Sequence, residues 1–168
     1  MQMNKRSETV LIWFGFLILV VSVIIVIVQP VYRIKRLNCQ QILKNGVGYV
    51  SVYLYRSEYG HWPHQLSDLS NELSNPLILI CPGSGHTPGS FTNADSWSDY
   101  TYIDWSVYFG TNVVPDDYPL AYDRSLNNHK GRGVNIVFAN GVVKWDSHAK
   151  SLKKFVIEHP NFKLTIPQ

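Results

Sequence analysis

The sequence predicts an α+β fold, in which a long N-terminal helix crosses a membrane and then packs on a small antiparallel β-sheet. Three observations predict it. Residues 10–28 run without a charge, and only Gly15 and Ser22 interrupt their apolar character. Beyond them Cys39, Leu43, Val47, Val50 and Leu54 recur at steps of three and four, which gives one apolar helical face. Near the other end, Ala139-Asn140-Gly141 separates two short apolar runs. Asn-Gly in that setting is the strongest short-range sign of a hairpin, because both residues readily take positive φ.

At about 1.5 Å per residue, the apolar run spans close to the roughly 30 Å of a bilayer's hydrocarbon. It is apolar all round, whereas the helices of soluble cores are usually amphipathic. Trp13 and Phe14 at one end and Tyr32 beyond the other suit the two interfaces. A cleaved leader would have a shorter apolar region, about 7–15 residues, ending at small residues. Here Gln29-Pro30-Val31-Tyr32 follows, so the helix is expected to stay as an anchor. The expected organisation is a flank over residues 1–9, a transmembrane helix over 10–28, its continuation over 29–60, and a small α+β domain over 61–168.

Pro30 is a position to kink the helix, since it lacks a backbone donor. Gly46 and Gly48 each weaken the helical pattern by about 1 kcal/mol; they mark either a close approach of another backbone or ordinary tolerance. Tyr59-Gly60, then Pro63, end it. Residues 66–73 read as a short helix ended by Asn75-Pro76, residues 77–80 as a short apolar run, and residues 86–98 as an exposed loop. Aromatic and β-branched residues over 100–109 predict a strand, and 120–122 a short edge strand. The hairpin joins 134–138 to 142–145, and 147–159 reads as a helix ended by Pro160.

Charged residues make up only 16% of the chain and the net charge is +3, so there is no basic stripe and no nucleic-acid partner is expected. No nucleophile elbow, phosphate loop or His-Glu-x-x-His stands in the sequence. No catalytic residue, cofactor or metal is therefore expected, and the chain reads as a non-enzyme. His61 and His64 flank Pro63, and His86, His129, His148 and His159 are scattered without ligand spacing. Asp95, Asp99, Asp104, Asp116, Asp117 and Asp123 crowd the middle; Asp116-Asp117 is the best calcium nucleus among them, but solvated turns fit better. Cys39 and Cys81 lack C-x-x-C partners, which argues against zinc. Two readings stand for them: a disulfide worth about 3–4 kcal/mol, or two buried thiols.

Tyr55-Arg56-Ser57-Glu58-Tyr59-Gly60-His61-Trp62-Pro63 resembles the segment that ends the long helix of type II secretion pseudopilins and type IV pilin-like proteins, with Tyr55, Glu58, Gly60, Trp62 and Pro63 in register. Cys39 with Leu43-Lys44-Asn45 and the pair Cys81-Pro82 resemble segments of planctomycete members. Asp95-Ser96-Trp97-Ser98-Asp99-Tyr100 is similar to a pseudopilin Asp-x-Trp-Gly-x-x-Tyr segment. His129-Lys130-Gly131-Arg132-Gly133-Val134-Asn135-Ile136-Val137-Phe138-Ala139-Asn140-Gly141 resembles their terminal hairpin, matched at His129, Gly133, Asn135, Phe138, Asn140 and Gly141. The processing site departs from the family: Gly15-Phe16-Leu17-Ile18-Leu19-Val20 puts Val20 where a glutamate is usual, and inside the apolar run.

The resemblance implies a pilin-like fold and a structural role in a cell-envelope filament or secretion assembly. Phe14, Phe16, Leu17, Val20, Val21 and Ile24 would pack on neighbouring helices. Expected partners are the lipid bilayer and other pilin-like or secretion-assembly subunits; the expected location is the bacterial inner membrane, single-pass. Lys5 and Arg6 before the run against Arg33, Lys35 and Arg36 after it lean the charge count towards a cytoplasmic C-terminal domain. The cysteines and the resemblance favour a periplasmic one. The alternative function is a membrane-anchored binding module for glycan or peptide, which would stack ligands on Trp62, Trp97, Trp105 and Trp145.

Overall fold

The computed structural model describes residues 5–168, with side chains from Trp13 onward. The first four residues of the expected flank, and the side chains of Lys5 and Arg6, lie outside that description. The chain divides into two compact units, with the boundary after Ile34.

Helix α1 (Lys5–Ile42) fills the first unit and enters the second. Its apolar part reaches a mean hydropathy of 2.8 over an 18-residue window, and none of that window is buried. The helix is thus long and apolar enough to cross a membrane. It stays helical through Pro30. The Ser22 hydroxyl donates to the Ile18 carbonyl at 2.8 Å, so this polar group is satisfied within the helix itself.

In the second unit the helical path is not uniform. A π-helical turn over Leu43–Val47 follows α1, and α2 (Tyr49–Tyr59) follows Gly48. Both glycines are needed for close packing. A Cβ on Gly46 would lie 2.5 Å from the Ile78 side chain, and one on Gly48 would collide with Val137 and sit 2.6 Å from the Leu43 carbonyl. Helix α2 ends at Gly60, whose φ of +76° lets its N–H reach the Arg56 carbonyl at 2.9 Å.

Single helical turns follow: 3-10 turns at Leu66–Ser70, Pro76–Leu79 and Phe91–Asn93, the last running into α3 (Ala94–Trp97). Then come β1 (Tyr100–Tyr102), α4 (Ser106–Phe109), β2 (Pro119–Asp123), a 3-10 turn at Leu126–His129, β3 (Gly133–Phe138), β4 (Val143–Ser147) and α5 (Lys150–Glu158). The four strands form one sheet in the order β1-β2-β3-β4. Every pairing is antiparallel, with Thr101 opposite Tyr122, Ala121 opposite Val137 and Asn135 opposite Trp145. The architecture is α+β, as expected.

Several local expectations are corrected. The strand expected over 100–109 stops at Tyr102, because Asp104 accepts from the Ser106 N–H at 3.0 Å and starts a helical turn instead. β2 is an inner strand rather than an edge, and all five of its residues are buried. The expected helix over 66–73 is a single 3-10 turn held by a capping box between Gln65 and Asp68. The run 77–80 is likewise mostly a 3-10 turn, and the loop over 86–98 holds two helical turns with Ala94 and Ser98 buried. The hairpin forms where expected, but of its loop residues only Gly141 has positive φ, at +76°. The Gly141 N–H bonds the Phe138 carbonyl at 2.8 Å, giving a three-residue loop with a glycine at its bulge.

The core lies between the helical path and the sheet. Trp62, Trp105, Tyr100 and Tyr122 are its largest members, joined by Leu43, Leu69, Leu120, Ile136 and Leu152. The Trp105 indole N–H donates to the Pro119 carbonyl at 2.7 Å, and its ring centroid lies 5.0 Å from that of Phe162. The Trp62 indole donates to the Asn112 carbonyl at 3.0 Å, under the Arg56 guanidinium. Both are core residues; Trp97 and Trp145 are half-buried.

Candidate functional site

Five buried polar residues from separate parts of the chain meet at one end of this core. Cys39 stands on the last turns of α1, and Cys81 follows the Pro76–Leu79 turn. Asp123 closes β2, His129 closes the Leu126–His129 turn, and Asn135 is the third residue of β3. The donor atoms of Cys39, Cys81, Asp123 and His129 all lie within 4.8 Å of one another. Among the described residues, this is where three or more such donors converge.

The contacts are specific. The Cys39 thiol donates to Asp123 Oδ1 at 3.0 Å and meets the Tyr100 hydroxyl at 3.4 Å. Cys81 Sγ lies 3.7 Å from His129 Nε2 and accepts the Gly83 N–H at 3.3 Å. His129 Nε2 is 3.0 Å from Asp123 Oδ2. Asn135 donates to that same oxygen twice, from its backbone N–H at 2.6 Å and its side-chain Nδ2 at 3.0 Å. Trp145 covers the cluster with its ring edge-on to His129 at 5.2 Å, and Gly133 leaves room for it, since a Cβ there would lie 2.8 Å from the Trp145 ring.

Burial and mutual hydrogen bonding set the protonation. Burial pushes the Cys39 thiol up, and its bond to Cys81 pushes it further, so it stays protonated. The bond from Cys39, aided by His129, outweighs burial at Cys81 and pulls it down to about 6. Burial would lower His129, yet its bonds to Asp123 and Cys81 and their charges raise it to about 9. These shifts run in the sense that favours a thiolate at Cys81 beside a protonated His129. The cluster is closed to solvent, with His129 the most exposed member at 7%.

The structure thus brings Cys39 and Cys81 together, where they stand as free thiols. It also brings His129 and Asn135 beside them. The other resemblance positions lie elsewhere. Tyr55 packs on Tyr59 and His61 at the end of α2, near Gly60, Trp62 and Pro63, while Glu58 is exposed. Asn140 caps the hairpin by accepting from the Val142 N–H at 3.0 Å, Gly141 abuts the Tyr49 ring, and Phe138 lies under the Lys144 ammonium. On α1, Phe14, Phe16, Leu17, Val21 and Ile24 are exposed and Val20 is half-buried.

The crowded aspartates serve separate local ends. Asp95 accepts from the Leu66 and Ser67 N–H groups, Asp99 from the Cys81 N–H, Ser84 and His86, and Asp104 from Ser106 beside His64. What sequence spacing misses is that Asp123, counted only among the crowded aspartates, and His129 stand beside the cysteines. For Asp123 the one trace is an acidic residue directly following the apolar run Leu120-Ala121-Tyr122.

The fold and cluster define an α+β protein with, among the described residues, one candidate membrane helix, and a closed, cysteine-containing polar centre. No protein-family model, curated protein or solved structure matches the chain.

Proposed function

We propose that this chain is a membrane-anchored, pilin-like structural protein of a cell-envelope filament or secretion assembly, with its second unit outside the cytoplasm and no enzymatic activity. The observations that carry the reading are the unburied apolar stretch of α1, including Phe14, Leu17, Val21 and Ile24, and, within the second unit, helix α2 with a four-stranded meander. An apolar helix of this length needs lipid or other helices around it. The hairpin with Asn140-Gly141 at its tip and the Gly60 helix end, both positions of the resemblance, support the same layout. Two of the four tryptophans on which a binding module would rely, Trp62 and Trp105, are used up in the core.

Cysteine cross-linking in native membranes tests the reading. Single cysteines are placed at Leu17, Val21 and Ile24, in the full chain with the native cysteines kept, and treated with an apolar bis-maleimide. Expected is cross-linking to another copy or to a second membrane protein, strongest along one face and absent from the parent chain. Uniformly monomeric chains at all three positions would favour an isolated anchored binding module and end the assembly reading.

A further inference from the structure

We infer that Cys39, Cys81, Asp123 and His129 form a closed tetrahedral site for one structural divalent cation of thiophilic type, zinc in particular. This inference does not depend on the assembly role above.

The geometry carries it. A zinc ion with Zn–S near 2.3 Å and Zn–N or Zn–O near 2.0–2.2 Å sets its ligand atoms about 3.8 Å apart for two sulfurs, about 3.6 Å for sulfur and nitrogen, and about 3.4 Å for nitrogen and oxygen. Here Cys81 Sγ to His129 Nε2 is 3.7 Å, Cys39 Sγ to Asp123 Oδ1 is 3.0 Å, and the four donor groups all converge within 4.8 Å of one another. The edges held by hydrogen bonds need widen by only about 0.5 Å to accept the ion. Two sulfurs, one imidazole and one carboxylate form a donor set that suits zinc and does not suit calcium or magnesium.

The surroundings match what such ligands need. Both Asn135 donors hold Asp123 Oδ2, which leaves Oδ1 as the ligand atom facing Cys39. The Gly83 N–H points at Cys81 Sγ, and the Tyr100 hydroxyl stands against Cys39 Sγ. With two thiolates, one carboxylate and a neutral imidazole around a dication, the centre carries a net charge of −1, and these donors stabilise it. Binding replaces protons. A thiol or an imidazolium that becomes a ligand must give up its proton, so uptake of M²⁺ releases H⁺.

A disulfide between the cysteines is the competing state. It would use only two of the four converging donors. In the structure both sulfurs are free thiol groups, which touch each other and also meet Asp123, from Cys39, and His129, from Cys81.

The test uses the full chain, purified in detergent without chelators under mild reduction. Its zinc content is measured, then it is stripped with a chelator under reduction and titrated with Co²⁺. Expected are one zinc per chain and the intense ligand-field bands of tetrahedral cobalt, with sulfur-to-cobalt charge-transfer absorption. His129→Cys should keep the tetrahedral spectrum and strengthen the charge-transfer bands, which guards against variants that merely fail to fold. Asn135→Ala should weaken Co²⁺ binding by about 10- to 100-fold. The inference is overturned by a chain without zinc whose mass is two hydrogens short, by a weak octahedral cobalt spectrum, or by zinc that persists in Cys39→Ser/Cys81→Ser.

Discussion

Three tyrosines, Tyr100, Tyr102 and Tyr122, stand with their phenols inside the sheet side of the molecule. Burial raises all three. Tyr122 reaches about 12 despite its bond to the Thr165 carbonyl at 2.6 Å, and Tyr100 is held high by burial and by the charges of the cysteine–aspartate cluster beside it. Burial likewise holds Tyr102 well above its ordinary value, and its hydroxyl has no hydrogen-bond partner. In the unfolded chain these groups ionise near about 10. Their contribution to stability is therefore complete below about pH 10 and is lost as pH climbs from there through about 12 for Tyr122. Ultraviolet titration of the folded protein should show a first group of tyrosines ionising near the ordinary value and a late group appearing only with alkaline unfolding. Simultaneous ionisation of all ten near that ordinary value would refute the burial argument.

At the scale of the element, the join between α1 and α2 shows what a helical pattern conceals. The apolar spacing through Cys39, Leu43 and Val47 is that of a helix, and the chain is helical there. The spacing does not show that Leu43–Val47 takes π-helical bonds, because that depends on how closely Val137 and Ile78 press from outside. Gly48→Ala should therefore destabilise the domain by about 1–3 kcal/mol, the usual cost of forcing extra volume into a packed core. Urea unfolding of the full chain in detergent, against Gly15→Ala as a control whose Cβ would meet nothing within 4 Å, measures this. An unchanged midpoint for Gly48→Ala would mean that the helix shifts freely on β3.

Legibility followed the range of the forces involved. The hairpin was readable because Asn140-Gly141 and its flanking apolar runs act within a few residues of one another. The helix end at Gly60 was readable for the same reason. β2 was misplaced at an edge because its interior position depends on β1, whose length is cut by the Asp104–Ser106 bond, and on β3 across its other side. The polar cluster was legible only as a question about Cys39 and Cys81. Asp123 lies 84 residues from Cys39, and nothing in the intervening sequence marks them as neighbours.

For the whole molecule, the division after Ile34 separates an apolar helix from a unit with its own complete core. That helix is long and apolar enough to cross a membrane. Leu19→Arg, near the middle of the run, should cost about 2.5–3.5 kcal/mol of membrane insertion. Expected is a shift of the chain from the membrane pellet to the soluble fraction on alkaline carbonate extraction, with the tryptophan fluorescence of the second unit unchanged. Full retention in the pellet would mean that contacts other than the apolar run hold the chain to membranes.

The sheet is a meander: each strand pairs with the one made just before it. During synthesis, therefore, the sheet can zip up in the order in which it emerges, with only short loops to close. Cys39 has no such convenience. It is among the first parts of the second unit to leave the ribosome, and its partner Asp123 arrives much later. Until then the buried face of Cys39, Leu43 and Val47 has no sheet to cover it. The long loop between Cys39 and Asp123 closes only after the meander has formed, so until then that apolar face stays open to a protease or chaperone.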